Sequence, residues 1–570
     1  MRPNGDAKGR KERGKIITKD TEKVTQEHRP SASSQGKQER FCHDEWIFAL
    51  VCLMIVALGG CSKNAIHDPS SVRFLIEASP TNLDPRYGTD GVSQRIDRLI
   101  FNGLVKRDLQ MNLQGDLAEK WENPDPLTYV FHLRPGIKFH DSRPLTSRDV
   151  KTTIEYMMDS ANKSPKRGAF TMIDSIETPN ATTVIFHLKE PYASFLWNLE
   201  KSAVGIAPAN AGSDFGQHPI GTGPFRFVGQ KQEEEVVLER NDDYFAVAAR
   251  EGTDHTEVAE VRALNSQRSG DSSTNLIRKV MFRIVPDAIV RALELRKGSA
   301  DVEMSSLSPD MVAVLAKRAD LKVTEMPGTN FAYLGVNLED PILMKKEVRQ
   351  ALAYATDRES LVKYLLHGEA RLASGILPPN HWAYEGDVKK YGYDPGEAER
   401  LLDAAGYPRG TNGMRIHLTL KVTTQEQARL LGAALQDQWK KAGVDLEVRP
   451  LETATFFADL TKGNFQLSYS IWIGANNDPD VFDLVFSSKR TPPNGSNRGH
   501  YRNARVDELI ATIRAETNKE KRKEYCSEVQ KIVAEDSPYV SLWYTDVVSV
   551  HQPEIDVQLT PTGDYDFLAR

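Results

Sequence analysis

Residues 129–157 read YVFHLRPGIKFHDSRPLTSRDVKTTIEYM, and they carry the signals of a strand, a turn and a helix in succession. The first five residues follow the apolar–polar alternation of a half-buried β-strand. Thr146 followed three residues later by Asp149 is typical of a capping box, and Ile154 and Met157 continue at helical spacing. A strand that leads into a helix predicts an α/β fold.

Two later stretches repeat this helical pattern. Residues 348–355 place their apolar side chains on one stripe of a helix. Asp394 and Pro395 suit the N-cap and the first position of a second helix, and Gly406 suits the position just after its end. Short β-rich runs alternate with these segments, which supports the α/β prediction.

The composition excludes several classes of protein. The chain has 570 residues, of which 40 % are hydrophobic and 27 % charged, as in ordinary globular proteins. A net charge of −6 gives no electrostatic case for nucleic acid. Four cysteines without zinc spacing predict neither a disulfide framework nor a metal site, and no cofactor is expected.

The N-terminal region has the organisation of an export signal. A polar leader, predicted to be disordered, precedes twelve consecutive apolar residues, 47–58, which would span only about 18 Å as a helix. This is the length of a signal-peptide apolar region rather than of a membrane-spanning helix. Leu58-Gly59-Gly60-Cys61 then resembles the lipobox of bacterial lipoproteins, which predicts lipidation at Cys61.

Several segments of the chain, taken in order, resemble one family. They are Asn82–Pro85, Tyr129–Asp141, Pro219–Phe227, Tyr333–Asn337, Val348–Leu352 and Asp394–Gly406. Through these segments the chain is similar to the extracellular solute-binding proteins of family 5, the peptide, oligopeptide and nickel binders of ABC importers. One departure is Ser142, where the family usually has Gly, because Gly tolerates a positive φ more readily.

The resemblance implies a two-lobed, periplasmic-binding-protein-like fold of type II (a Venus flytrap) with an extra subdomain in the first lobe. It also implies that the chain crosses near 324–331 into the second lobe and returns near 525–545. The expected divisions are a disordered leader (1–45), the signal-peptide apolar region and lipobox (46–60), a tether (61–71), the first lobe with its subdomain and a loop insertion at 249–276 (72–326), the second lobe (327–529) and a return to the first lobe (530–570).

The family's ligand-site segment corresponds to the stretch that begins at Trp472. In dipeptide binders the typical pattern is Trp-x-Gly-Asp-x-x-Asp-Pro, and its first Asp accepts the α-amine of the peptide. This chain retains Trp472, Gly474 and Asp478. A carboxylate suits that amine because a desolvated ammonium needs a paired charge.

The acidic position of that pattern is Ala475 here, and the neutral Asn476 and Asn477 cannot supply the missing charge. Asp478 is interpreted as a turn or cap residue in preference to an amine ligand. A free amine is therefore not the expected feature of the solute. The alternatives are a modified peptide, a sugar, a metal chelate, or a peptide held by another acid such as Asp480.

Three further residues are candidate ligand contacts. Arg429 lies where some relatives place a carboxylate-binding arginine, although a solvated helix face also explains it. Tyr333 and Asn337 lie near the predicted crossover, where they would line the cleft or pack in the core. His381 has no second histidine at ligand spacing, so metal binding is not predicted.

The function that these patterns favour is binding without catalysis. No Gly-x-Ser-x-Gly motif, metal motif or paired catalytic carboxylates point to an enzyme. The hypothesis is a monomeric, exported substrate-binding lipoprotein in the periplasm or cell envelope, which delivers a peptide or peptide-like solute to an ABC permease and ATPase. A binder of a non-peptide solute, or a sensor or adaptor with the same fold, remains the alternative.

Overall fold

The computed structural model of the protein describes residue 68 and residues 70–108, 111–201, 204–245, 276–474 and 478–569. The predicted leader, the apolar region and Cys61 lie outside the described residues, as do nearly all of the tether and of the 249–276 insertion. Within the described ranges, no helix is long and apolar enough to cross a membrane.

Helices occur along the whole described chain. They are α1 (Gly91–Ile100), α2 (Ser147–Met158), α3 (Phe195–Asn198), α4 (Ala288–Lys297), α5 (Pro309–Leu315), α6 (Lys346–Tyr354), α7 (Arg358–Leu365), α8 (Pro395–Ala404), α9 (Glu426–Lys441), α10 (Thr453–Thr461), α11 (Val481–Phe486), α12 (Ala504–Ala515) and α13 (Lys519–Asp536). Short 3-10 helices lie at Ser160–Asn162, Arg167–Phe170, Phe215–Gln217, Ser488–Arg490 and Asp566–Ala569.

The strands alternate with these helices. They are β1 (Ser71–Ile76), β2 (Val105–Arg107), β3 (Leu113–Gly115), β4 (Ala118–Asp125), β5 (Thr128–Leu133), β6 (Ile173–Asn180), β7 (Thr183–Leu188), β8 (Phe225–Lys231), β9 (Glu235–Arg240), β10 (Lys279–Ile284), β11 (Val302–Met304), β12 (Lys322–Val336), β13 (Ala370–Leu372), β14 (Ile416–Thr423), β15 (Val444–Leu451), β16 (Leu467–Trp472) and β17 (Tyr539–His551).

One mixed sheet of eleven strands runs through the fold. Its strand order is β15-β14-β16-β12-β17-β11-β1-β10-β9-β8, and β13 pairs with β17 beside this path. A separate antiparallel sheet, β4-β5-β7-β6, lies in the segment between β1 and β8. Parallel pairs, such as β1 with β10 and β14 with β15, occur on both sides of the central antiparallel pair β12 and β17.

The hydrophobic cores divide at this central pair. Three buried clusters, one of them under the separate sheet, draw on residues 72–326 and 547–569. Two others, containing Trp439 and Phe482 respectively, draw on residues 331–544. The side chains of β12 therefore pass from the first set of clusters to the second between Met326 and Phe331. Those of β17 pass from the second set to the first between Tyr544 and Val547. The predicted lobe boundaries at 326/327 and 529/530 stay predictions.

The local signals are found where the sequence predicts them. The Asp149 carboxylate accepts hydrogen bonds from the backbone N–H and the hydroxyl of Thr146, both at 2.8 Å. Asp394 accepts the Glu397 N–H at 3.0 Å, and α8 ends just before Gly406, whose φ is +86°. These helix boundaries are confirmed.

Candidate functional site

The central strands β12 and β17 change register where the two sets of clusters meet. Residues 322–326 pair with 551–547, and residues 330–335 pair with 545–539, so that residues 327–329 bulge opposite Asp546. The Thr329 N–H donates to the Pro561 carbonyl at 3.1 Å instead of to the ladder. A bulge bends a strand and weakens its pairing locally. This segment, 327–329, is therefore a natural pivot between the two halves.

Two strand ends approach the pivot from opposite sides. Leu75 of β1 pairs with Glu303, and Glu303 pairs with Val550, so β1 runs toward the pivot. Trp472, at the end of β16, pairs with Phe331 on the other side. Ligands bind beyond the carboxyl ends of strands in open α/β sheets. The space beyond β1 and β16 is thus the candidate site.

Trp472 and Gly474 lie at the edge of this space. The Trp472 side chain is half-buried, and its indole N–H has no hydrogen-bond partner among the residues that the structure describes. Gly474 has a φ of +71°, and a Cβ built on it would meet no atom within 4 Å. Ala475, Asn476 and Asn477 lie outside the described residues. The effect of Ala475 on ligand charge stays a prediction.

The Asp478 carboxylate accepts hydrogen bonds from several neighbouring groups. It is 5 % exposed, and Arg522 donates two hydrogen bonds to its carboxylate, at 2.7 and 2.9 Å. The Ser194 hydroxyl also donates to it, and so does the Asp480 N–H at 2.9 Å, which matches the predicted turn. Burial raises the pKa of Asp478, but the Arg522 charge and these hydrogen bonds lower it below its usual value. Asp478 therefore holds α13 and Ser194 rather than an amine.

Asp480 is engaged in the same way. Arg514 Nε donates to it at 2.8 Å, and the Tyr192 hydroxyl donates to its other oxygen. The Arg514 guanidinium also lies 5.0 Å from the centre of the Tyr192 ring. Burial raises the pKa of Asp480, and Arg514 offsets part of this rise. The second acid that the sequence offers for an amine is thus paired as well.

These contacts join the two halves. Tyr192, together with Phe195 next to Ser194, belongs to the cluster under the separate sheet, whereas Val481 and Ile513, next to Asp480 and Arg514, belong to the Phe482 cluster. A backbone hydrogen bond also connects the two halves, because the Ala193 N–H donates to the Arg514 carbonyl at 2.8 Å. We call these residues, Tyr192, Ser194, Asp478, Asp480, Arg514 and Arg522, the clasp. Sequence reasoning missed its arginines and hydroxyls, since no local pattern distinguishes them from surface residues.

Tyr333 and Asn337 lie in the core. Tyr333 is 6 % exposed and stacks on Phe331, with ring centres 5.3 Å apart. The Asn337 amide donates to the Gly463 and Phe465 carbonyls at 3.2 and 2.9 Å. Both placements match the core-packing alternative, and a ligand contact by either residue has no support in the geometry.

Arg429 is exposed on α9, with the buried Ala428 and Leu431 on the other face of the helix. This placement matches the solvated-face alternative, and the structure does not bring Arg429 together with Trp472. Within the described ranges, no group of three or more His, Cys, Asp or Glu side chains is arranged to hold a metal ion.

A cavity of about 300 Å³ lies behind the site in the Phe482 half. Its lining combines aromatic side chains, among them Phe331 and Phe482, with charged ones, among them Arg358, Glu385 and Lys389. Such a lining offers both hydrophobic contact area and charged groups.

Comparison with known proteins identifies the family of the chain. Residues 112–493 match the model of the bacterial extracellular solute-binding proteins, family 5 Middle. The chain belongs to this family. The family 5 prediction is confirmed, and so is the α/β, periplasmic-binding-protein-like fold.

Similar proteins bind different solutes. The dipeptide-binding protein of Escherichia coli is 26 % identical over 524 residues, which cover 87 % of this chain and 93 % of that protein. The structure of NikZ from Campylobacter jejuni in complex with Ni(L-His) is 26 % identical, with a TM-score of 0.72, and covers 87 % of this chain and 98 % of that one. The periplasmic binding protein DppA from Helicobacter pylori, in complex with peptide STSA, is 25 % identical, with a TM-score of 0.70 and coverages of 88 % and 97 %.

Proposed function

We propose that this protein is the substrate-binding component of an ABC importer, which captures a peptide or peptide-like solute between two lobes and delivers it to the permease and ATPase. The clasp carries this proposal, because it ties the segment after β16 to Ser194 and Tyr192 of the opposite half. The lobes are residues 72–326 with 530–570, and residues 327–529. The protein acts as a monomer and performs no catalysis.

The proposed mechanism is a hinge equilibrium. Two strands cross the pivot at 327–329, so the halves can rotate with few broken contacts. A solute that touches both strand ends binds the closed form more tightly and shifts the population toward it. The clasp forms only in the closed form, which then presents a continuous surface to the permease.

The solute class follows from the relatives and from the paired acids. Relatives bind dipeptides, a tetrapeptide and a nickel–histidine complex. Asp478 and Asp480 are both committed to arginines here, so neither holds a free α-amine. A modified peptide or another peptide-like solute fits this arrangement, with a metal chelate or a sugar as the alternatives.

Native mass spectrometry of protein purified from its host tests the proposal. We expect an additional mass of a small solute on the folded protein and its loss after denaturation. Fragmentation then identifies the solute class. If no solute co-purifies, and no peptide mixture raises the melting temperature or reduces the radius of gyration, the proposed function is wrong.

The anchor at Cys61 is part of the same proposal. Several acyl chains on one residue give stable membrane attachment. We expect Cys61→Ser to lose the acyl mass and to move the protein from the membrane fraction to the soluble fraction. Cys52→Ser, within the apolar run, is the matched control and keeps both properties. An acylated, membrane-bound Cys61→Ser protein contradicts the lipobox interpretation.

A further inference from the structure

The guanidinium of Arg95, a residue of α1, lies close to the pivot. Its side chain is half-buried, and its guanidinium carbon lies 5.7 Å from the centre of the Tyr565 ring. A Cβ built on Gly563 would lie 3.6 Å from Arg95 Nη2 and 3.5 Å from Val547 Cγ1. Val547 pairs with Met326, directly beside the bulge. The Arg95 head therefore lies beside the pivot, on the side of the first half.

Arg98, one turn further along α1, shows what a structural arginine looks like in this fold. It is 2 % exposed and pairs with Glu200 at 3.0 Å, with Asp564 at 3.6 Å and with Asp566. Arg95, by contrast, has no carboxylate oxygen within 4 Å in the parts of the chain that the structure describes. Its hydrogen-bonding neighbour in these ranges is Tyr565.

The charges of Glu77 and Asp564 affect the pKa of Arg95 by electrostatic attraction. Burial lowers the pKa of Arg95, but Tyr565, Glu77 and Asp564 together raise it above its usual value. The guanidinium is thus held in its charged form while most of its five N–H donors remain available. A half-buried cation with available donors is suited to an anionic ligand.

Trp472 lies across the pivot from this group. Glu77 follows β1 at the level of Val548, and Trp472 is at the level of Tyr544. Four residues of strand separate the two levels, which is about 13 Å. A small solute can therefore touch the end of β16 and the Arg95 group at the same time.

We propose that Arg95 binds a carboxylate of the solute, so that the first lobe recognises the solute through its anionic end. This inference rests on the proposed function and deepens it, because it names the solute class as carboxylate-bearing. It also explains how a chain with Ala475 recognises a charged solute. The group of the protein that selects the solute is then the Arg95 cation, which binds a carboxylate, and not an acid that binds an amine. Arg95 can bind the two carboxylate oxygens in parallel, a geometry that a lysine cannot reproduce.

A panel of tri- to pentapeptides, each with a free and with an amidated C-terminus, tests the inference by calorimetry. We expect the wild type to prefer the free acids, and Arg95→Gln to bind them about 10- to 100-fold more weakly. Arg95→Lys should recover only part of the affinity. Arg400→Gln, which removes an exposed guanidinium that pairs with Glu397 on α8, is the matched control on the second half and should bind like the wild type. Equal binding of acids and amides by the wild type, or full affinity in Arg95→Gln, overturns the inference.

An acetate titration, followed by NMR of the arginine Nε–H signals, separates the two proposals. The Arg95 signal, assigned by its loss in Arg95→Gln, should shift on addition of acetate while the Arg400 signal, assigned in the same way, does not. A panel in which nothing binds contradicts the peptide function, whereas an Arg95 signal that ignores acetate overturns the carboxylate site. Unchanged melting temperatures of the variants show that the fold is intact.

Discussion

Ser142 holds a backbone conformation that suits glycine. Its φ is +71°, and its N–H donates to the Phe139 carbonyl at 2.8 Å to close the turn before α2. The left-handed region costs a residue with a Cβ about 1–2 kcal/mol. The sequence departs from the usual family glycine here, and the turn forms nonetheless.

We expect Ser142→Gly to raise the free energy of unfolding by about 0.5–1 kcal/mol, because it relieves that strain at an exposed site. Urea unfolding measures the effect. Gly136→Ala is the matched control, since Gly136 has a φ of +75° and open space around its Cβ position, and it should destabilise. A less stable Ser142→Gly protein would show that the serine makes an offsetting contribution.

Arg522 is the other residue on which a single change has a large effect. Arg522→Ala leaves the buried Asp478 carboxylate without its cation, which costs about 3–5 kcal/mol. The melting temperature and urea midpoint should fall accordingly. Arg505→Ala removes a side chain that is 47 % exposed and pairs with Glu508 and Glu528, and should lower both values much less, because solvent screens exposed ion pairs. Equal effects of the two variants would contradict the buried role of Arg522.

Strand β11 carries a buried acid that makes the stability of the protein depend on pH. Glu303 is 1 % exposed, and it accepts the Ser306 N–H at 2.8 Å and the Ser306 hydroxyl. Burial raises the pKa of Glu303 to about 7. The folded state therefore keeps this proton at pH values where the unfolded chain has lost it.

Because this pKa is raised, the stability that the protonated Glu303 contributes is complete below about pH 4.5 and is lost as the pH rises through 7. We expect Glu303→Gln to remove this loss, which amounts to about 1–3 kcal/mol between pH 5 and pH 8. Urea unfolding at both pH values gives the difference. Glu119→Gln, which removes an exposed carboxylate of β4, is the control and should lose stability as the wild type does. The same pH dependence in Glu303→Gln and wild type would exclude Glu303 as its source.

At the scale of the whole molecule, the clasp and the pivot work against each other. In the proposed hinge mechanism, the bulge at 327–329 permits rotation, whereas the hydroxyls of Tyr192 and Ser194, which donate to Asp480 and Asp478, hold the closed form. A balance of a few kcal/mol between such states allows a solute to control them.

We expect the double variant Tyr192→Phe/Ser194→Ala to populate the open form, because it removes the two hydroxyls that reach across the pivot. Small-angle scattering should show a larger radius of gyration without solute, and the solute affinity should fall. Thr171→Ala removes an exposed hydroxyl that bonds only within its own turn, and it should leave both values unchanged. An unchanged radius of gyration with unchanged affinity would show that the clasp does not set the equilibrium.

The sequence by itself determined the helix boundaries, the α/β class and the family. Asp149 caps α2 and Asp394 caps α8 because each contact spans three residues, so the local pattern contains both partners. The turn at Asp478 was equally predictable, since its partner is the N–H of Asp480. The sequence also identified the segment that begins at Trp472 through its resemblance to relatives.

Only the tertiary structure decided which charged side chains form ion pairs with one another. Asp478 meets Ser194, 284 residues away, and Arg522, 44 residues away, so no local pattern could pair them. Arg95 and Arg98 look alike in the sequence, yet the path of the C-terminal segment brings Asp564 and Asp566 to Arg98, which also pairs with Glu200, and leaves Arg95 facing the pivot. The physical reason is that capping and periodicity depend on neighbours along the chain, whereas burial and ion pairing depend on where distant segments meet.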